Sequence, residues 1–207
     1  MRIQEFYESA NGLRGKVFTY EECMDVYAAN NSKKEFSYTT DWAGFNVPGN
    51  VADKFFRLFD GDLIQKEQTL QELVEQYKAK PSGKHRGKYY IIGTHACLDV
   101  SVYVYHEHCH ALWYMYPDFR KASKTLLDKL PAKFKQVLCD GLIEDGYDTS
   151  VLDDEMNAYL STSDMYYIKD YLTDQFTGKS FPWNTIYQLQ KNFYEYMEEV
   201  KFPETFE

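Results

Sequence analysis

A chain of 207 residues with 44 % apolar, 27 % charged and 17 % aromatic residues can bury a full core and is too aromatic for a disordered segment. The net charge of −9 and a pI near 5.1 disfavour nucleic acid or an anionic membrane as partner. No apolar run approaches the length of a membrane span, and "MRIQEFYESANGLRG" lacks the apolar stretch of a secretory signal. The four cysteines form no C-x-x-C pair, so the expected setting is a cytoplasm with reduced thiols, with signal-independent secretion or delivery into a host cell left open.

In chain order, "TYEE" at Thr19–Glu22 reads as a capping box that opens a helix to about Ala29. Glu35 to Gly49 alternates aromatic and polar residues and ends in Pro-Gly, which predicts strand and turn. Val51 to Phe59 predicts a helix, and Leu63, Glu67, Leu70, Val74 and Tyr77 continue at helical spacing. The basic stretch "KPSGKHRGK" (Lys80 to Lys88) reads as a solvated loop, and "KYYIIG" (Lys88 to Gly93) as a strand bounded by glycine. Helices are then expected over the segment around "VYVYHEHCHALWYM" (Val102 to Met115), with Asp99 as N-cap and Pro117 as its stop. Further helices are expected at about Phe119 to Cys139, Val151 to Leu160, Met165 to Phe176 and Trp183 to Val200. The expected fold class is helix-rich α+β in a single domain over residues 1–207. It has an N-terminal helix and strand part (1–80), a middle core (88–160) and C-terminal helices (161–207).

The chemistry concentrates in "HEHCH". It contains H-E-x-x-H as His106, Glu107 and His110. On a helix, positions i and i+4 stand one turn apart on one face, so both imidazoles can reach one ion at about 2.0–2.1 Å. Glu107, beside the first histidine, lies next to the ion rather than on it and suits a general base. Val102, Tyr105, Cys109, Leu112, Trp113 and Tyr116 form the expected apolar stripe of this helix. His108 points away from the pair and reads as a surface or packing residue, and Cys109 as a small buried hydrophobe.

A catalytic zinc needs a third protein ligand. No histidine follows His110, so a downstream ligand must be another residue type. In "SVLDDEMNAYL" (Ser150 to Leu160), Ser150 and Asp153 read as a capping box. Leu152, Met156 and Tyr159 share an inward face with Glu155, and a lone carboxylate on such a face is costly unless it is paired or bound to metal. Glu155 is therefore the expected third ligand and Asp154 the alternative. Asp153 and Asp154 are expected off that face, at the helix N-terminus, and Ala158 is small enough to let the helix pack closely against the histidine helix.

"HEHCH" followed some tens of residues later by "EMNAY" resembles the gluzincin type of zinc metallopeptidase, over about Lys88 to Leu160. The resemblance implies a zincin fold: a small twisted sheet, an active-site helix and a third-ligand helix. It implies zinc held by His106, His110 and Glu155, one ion per chain, with Glu107 as general base. Thermolysin-like members carry Asn just before the ligand Glu and Asp four after it. Here those places are Asp154 and Tyr159, which removes the usual carboxylate behind a ligand histidine.

The activity so implied is hydrolysis of peptide bonds in a protein or peptide substrate. The alternatives are a zinc hydrolase of a non-protein amide, such as a peptidoglycan link, and a non-catalytic binding or effector module on the same fold. Candidate stabilisers of the transition state are Tyr166, Tyr167, Tyr103 and His95. Zincins run a strand beside the cleft, and "KYYIIG" is placed to do so. No nucleic acid and no membrane insertion are expected, and the oligomeric state is left open.

Overall fold

The structure is a computed structural model and describes residues 13, 18–30, 32–37, 40, 44–79, 88–94, 101–163, 168 and 183–199. The chain divides into two compact units, Met1–Gly93 and Thr94–Glu207. The fold is helix-rich α+β, with eight helices among the described residues and one small antiparallel sheet of two strands. None of the described helices is long and apolar enough to cross a membrane.

In the first unit, α1 (Tyr20–Asn30) opens on the expected capping box. The Thr19 amide donates to the Glu22 carboxylate at 2.7 Å and the Glu22 amide to the Thr19 hydroxyl at 3.1 Å. The strand predicted from Glu35 is shorter than expected: β1 covers only Gly44–Pro48. Upstream, the Thr40 amide and hydroxyl both donate to the Ser37 carbonyl at 2.8 Å, a local turn that competes with strand pairing. β1 pairs with β2 (Tyr90–Thr94), and the Tyr90 hydroxyl donates across to Asn46 at 2.6 Å.

Helix α2 (Gly49–Leu58) follows β1 directly. Its first amide, on Gly49, donates to the Tyr89 carbonyl at 2.9 Å. A Cβ on Gly49 would meet that oxygen at 2.5 Å, so glycine is what lets helix and strand approach. Val51, Ala52, Phe55 and Phe56 repeat at helical spacing and bury against Val74 of α3 (Gln65–Ala79) and against Tyr89.

The second unit is helical: α4 (Ser101–Met115), α5 (Pro117–Leu127), α6 (Ala132–Glu144), α7 (Leu152–Thr162) and α8 (Trp183–Glu199). Pro117 stops α4 as expected and sits at the first turn of α5. The single helix predicted over Phe119 to Cys139 is two. Pro131 has no amide to continue α5, disfavours a helical Leu130, and instead caps α6. The apolar stripe of α4 also differs from expectation at its start: Cys109 and Leu112 are buried, but Tyr105 is exposed.

The main core joins Leu127, Phe134, Leu138, Leu142, Met156, Leu160, Ile186 and Phe193, from α5 to α8. A smaller cluster of Cys109, Ala158 and Met197 marks where α4, α7 and α8 meet. Ala158 is the small residue expected at the approach of α7 to α4. Asp99 and most of Met165 to Phe176 lie outside the described residues.

Candidate metal centre

Helix α7, which carries Glu155, is set up by the chain before it. Gly146, at φ +96°, ends α6 with the Gly146 amide on the Ile143 carbonyl and the Tyr147 amide on the Leu142 carbonyl, both at 3.0 Å. This closure needs a left-handed residue, which glycine supplies, and it folds Tyr147 back over the helix end. The capping box expected from Ser150 and Asp153 is not formed. Asp148 takes the Ser150 amide at 2.9 Å and its hydroxyl at 2.5 Å, so Ser150 is spent on a turn, and Val151 caps α7 without a side-chain bond. Asp153, Asp154 and Glu155 fill the first turn, where the helix dipole favours negative charge.

That turn brings Glu155 to the two motif histidines. His106 Nε2 and His110 Nε2 stand 3.2 Å apart. Glu155 Oε2 lies 3.7 Å from the first and 3.6 Å from the second. A point in the plane of these three atoms and equidistant from them lies about 2.0 Å from each, the length of a zinc–nitrogen or zinc–oxygen bond. His110 and Glu155 are buried and His106 is 19 % exposed, so solvent reaches the cluster on the His106 side.

Hydrogen bonding behind the rings decides which nitrogens face inward. The Thr162 hydroxyl donates to the Ala158 carbonyl at 2.7 Å and stands 3.4 Å from His106 Nδ1. With its proton engaged, it can only accept there, which assigns Nδ1–H to His106. Asp154 Oδ1 faces His110 Nδ1 at 3.0 Å, which assigns Nδ1–H to His110 as well. With both rings neutral, both Nε2 lone pairs point at each other and at a carboxylate, three acceptors converging on one point. Glu155 Oε2 is buried and has no hydrogen-bond partner, and two imidazole nitrogens with one carboxylate oxygen are a donor set that could hold a cation.

The surroundings favour positive charge at this point: burial opposes a charged His110, but Glu155, Asp154 and Glu107 outweigh it and raise its pKa to about 10, so a proton on Nε2 and a cation between the three atoms are competing ways to meet the same negative charge. Burial raises the Asp154 carboxyl, against the pull of His110. Glu107 is buried at 8 % exposure and is not part of the group that could hold a metal ion, which among the described residues is His106, His110 and Glu155.

Asp154 corrects two expectations. It is not off the inward face, and its contact is with the far nitrogen of His110 rather than with the ligand atoms. It is a carboxylate standing behind a motif histidine, which the sequence pattern left open. Tyr159 takes the place beside His106, ring centroids 4.9 Å apart and near-perpendicular. Asp153 does lie off the face, with Lys124 at 3.2 Å and Lys135 at 3.6 Å. His108 is half-buried, and burial pushes its pKa down. Cys109 is fully buried, and burial pushes its thiol up, as suits a packing residue.

Of the expected transition-state stabilisers, His95, Tyr166 and Tyr167 lie outside the described residues. Tyr103 is exposed at 41 %, one turn before His106. Tyr147 was not among the expected candidates. Its hydroxyl is 3.4 Å from that of Tyr159. Burial, then Glu155 and Tyr159, keep it a protonated phenol. The Gly-Tyr step after an apolar helix end was the available signal for its placement. Comparison with family models, with curated proteins and with solved structures finds no match to this chain.

Proposed function

We propose that the chain is a zinc-dependent metallopeptidase that hydrolyses peptide bonds of a protein or peptide substrate. The observation that carries this reading is the buried, unpartnered Glu155 Oε2 aimed between His106 Nε2 and His110 Nε2. His106, His110 and Glu155 would hold the ion, and a three-ligand set with one position open to solvent is the catalytic rather than the structural pattern of zinc. A zinc ion there would acidify a water molecule and polarise a carbonyl oxygen.

The chain's own residues would do the rest. Glu107 accepts the proton of the attacking water at its carboxylate and passes it to the leaving amine. A binding module has no use for that buried carboxylate, which favours the enzyme over the non-catalytic alternative. The Tyr147 hydroxyl, protonated and adjacent to Tyr159, serves as hydrogen-bond donor to the charge that develops on the carbonyl oxygen.

The test is metal content together with hydrolysis. Purified wild type is expected to carry close to one equivalent of zinc and to cleave a library of unfolded polypeptides, with peptidoglycan fragments assayed in parallel. Glu155→Ala is expected to lose both. No zinc in the wild type, or full zinc in Glu155→Ala, overturns the ligand set. Cleavage of the glycan-linked peptides alone moves the substrate to the other amide class.

A further inference from the structure

The two histidines are backed very unequally. Behind His110 stands a carboxylate at 3.0 Å, and that oxygen of Asp154 is buried and has no other hydrogen-bond partner. Behind His106 stands a neutral hydroxyl at 3.4 Å, whose proton is already given to the Ala158 carbonyl. The His110 side chain is also the more enclosed of the two, 5 % exposed against 19 %. A charged acceptor binds an imidazole N–H about twice as strongly as a neutral one, fixes the ring and raises the basicity of the opposite nitrogen. The edge of the Tyr159 ring can hold His106 in place but offers its nitrogen no charge.

We propose that Asp154 is a positioning residue that makes His110 the anchoring ligand of the metal centre, with His106 the weakly held one. This rests on the metal reading above. The burial of the Asp154 oxygen fits the assignment, since burying an acceptor whose one polar partner is an imidazole is costly unless that imidazole is functionally held. It also accounts for a carboxylate rather than an amide just before the ligand glutamate. An amide could accept the same hydrogen bond but would add no basicity to His110.

The experiment measures zinc affinity by competition with a chromophoric chelator, for wild type, Asp154→Asn and Thr162→Val. The same proteins are loaded with cobalt to compare visible spectra. Asp154→Asn is expected to bind 10–100-fold more weakly, and Thr162→Val to change affinity by less than about 10-fold. Both should keep the cobalt spectrum of a low-coordinate site. Wild-type affinity in Asp154→Asn, or a greater loss in Thr162→Val, overturns the proposal while leaving the ligand set intact. Absence of zinc from the wild type overturns the ligand set itself. Should Asp154→Asn fail to fold, nitrogen-edited proton spectra of the zinc-loaded wild type decide. The Nδ1 proton of His110 should resonate well downfield of that of His106, and coincident positions, or coordination of His110 through Nδ1, reject the inference.

Discussion

Two carboxylates, one in each unit, differ in how their charge is met. Asp53 on α2 has the Lys78 ammonium and the Tyr89 hydroxyl on the same oxygen, each at 2.6 Å. The Lys78 ammonium also lies 5.3 Å over the Tyr89 ring. Every charge there has an opposite charge or a donor, and the group is a third exposed. Glu155 is more deeply buried, 7 % exposed, yet the nearest polar atoms to its Oε2, two imidazole nitrogens at 3.6 and 3.7 Å, lie beyond hydrogen-bond distance. A chain that folds only for stability does not leave its more buried carboxylate the less satisfied one. The difference in donor chemistry, rather than the presence of acid among apolar residues, is what points to a cation.

The largest effect should come from a third carboxylate, Glu107. If its work is proton transfer, Glu107→Gln should lower the rate of hydrolysis by about 10²–10⁴-fold and leave one equivalent of zinc in place. Steady-state kinetics beside metal analysis check this. Loss of zinc with the activity would mean that Glu107 belongs with Glu155 as a ligand, and would break the distinction between them.

Next in size is the coupling of metal to stability. Zinc at 100 times its dissociation constant should stabilise the wild type by about 2.7 kcal/mol, read as a rise in urea midpoint that a chelator reverses. In Glu155→Ala the zinc-dependent rise should vanish. A rise that persists there would place the ion elsewhere.

The site was legible in the sequence to the extent that it depends on helical periodicity. His106 and His110 share a face because they are four apart, and Glu155 betrayed itself as charge among Leu152, Met156 and Tyr159. Asp154 was not legible, because a residue at the edge of a helix face goes whichever way the neighbouring helix draws it, and α4 comes close over Ala158. Tyr147 was not legible because its direction comes from a turn closed by Gly146, not from a period. In the fold, Pro131 splits in two a helix that the apolar pattern from Phe119 through Leu138 predicts as one, because that pattern runs across it without losing phase. Ser150 misled because Asp148, two residues earlier, claims it first.

The smaller predictions concern the satisfied side of the comparison. Tyr89 is 5 % exposed, so Tyr89→Phe removes one hydrogen bond to Asp53 from a buried ring without opening a cavity. It should cost about 1 kcal/mol in urea unfolding and leave zinc affinity unchanged.

Lys78→Met should cost less, about 0.2–1 kcal/mol. The ammonium is 28 % exposed and its pairing with Asp53 is screened by water, while the methionine keeps the apolar stem over the Tyr89 ring. Asp53 retains the Tyr89 hydroxyl, so no acceptor is stranded. The loss should shrink further in 1 M salt, because a partly exposed pair is screened within a few ångströms, whereas the loss in Tyr89→Phe, a hydrogen bond at a buried ring, should not. A salt-independent cost of several kcal/mol for Lys78→Met would mean that the Asp53 cluster depends on its cation as strictly as Glu155 does, and the contrast between a structural pair and a ligand would fail at its structural end.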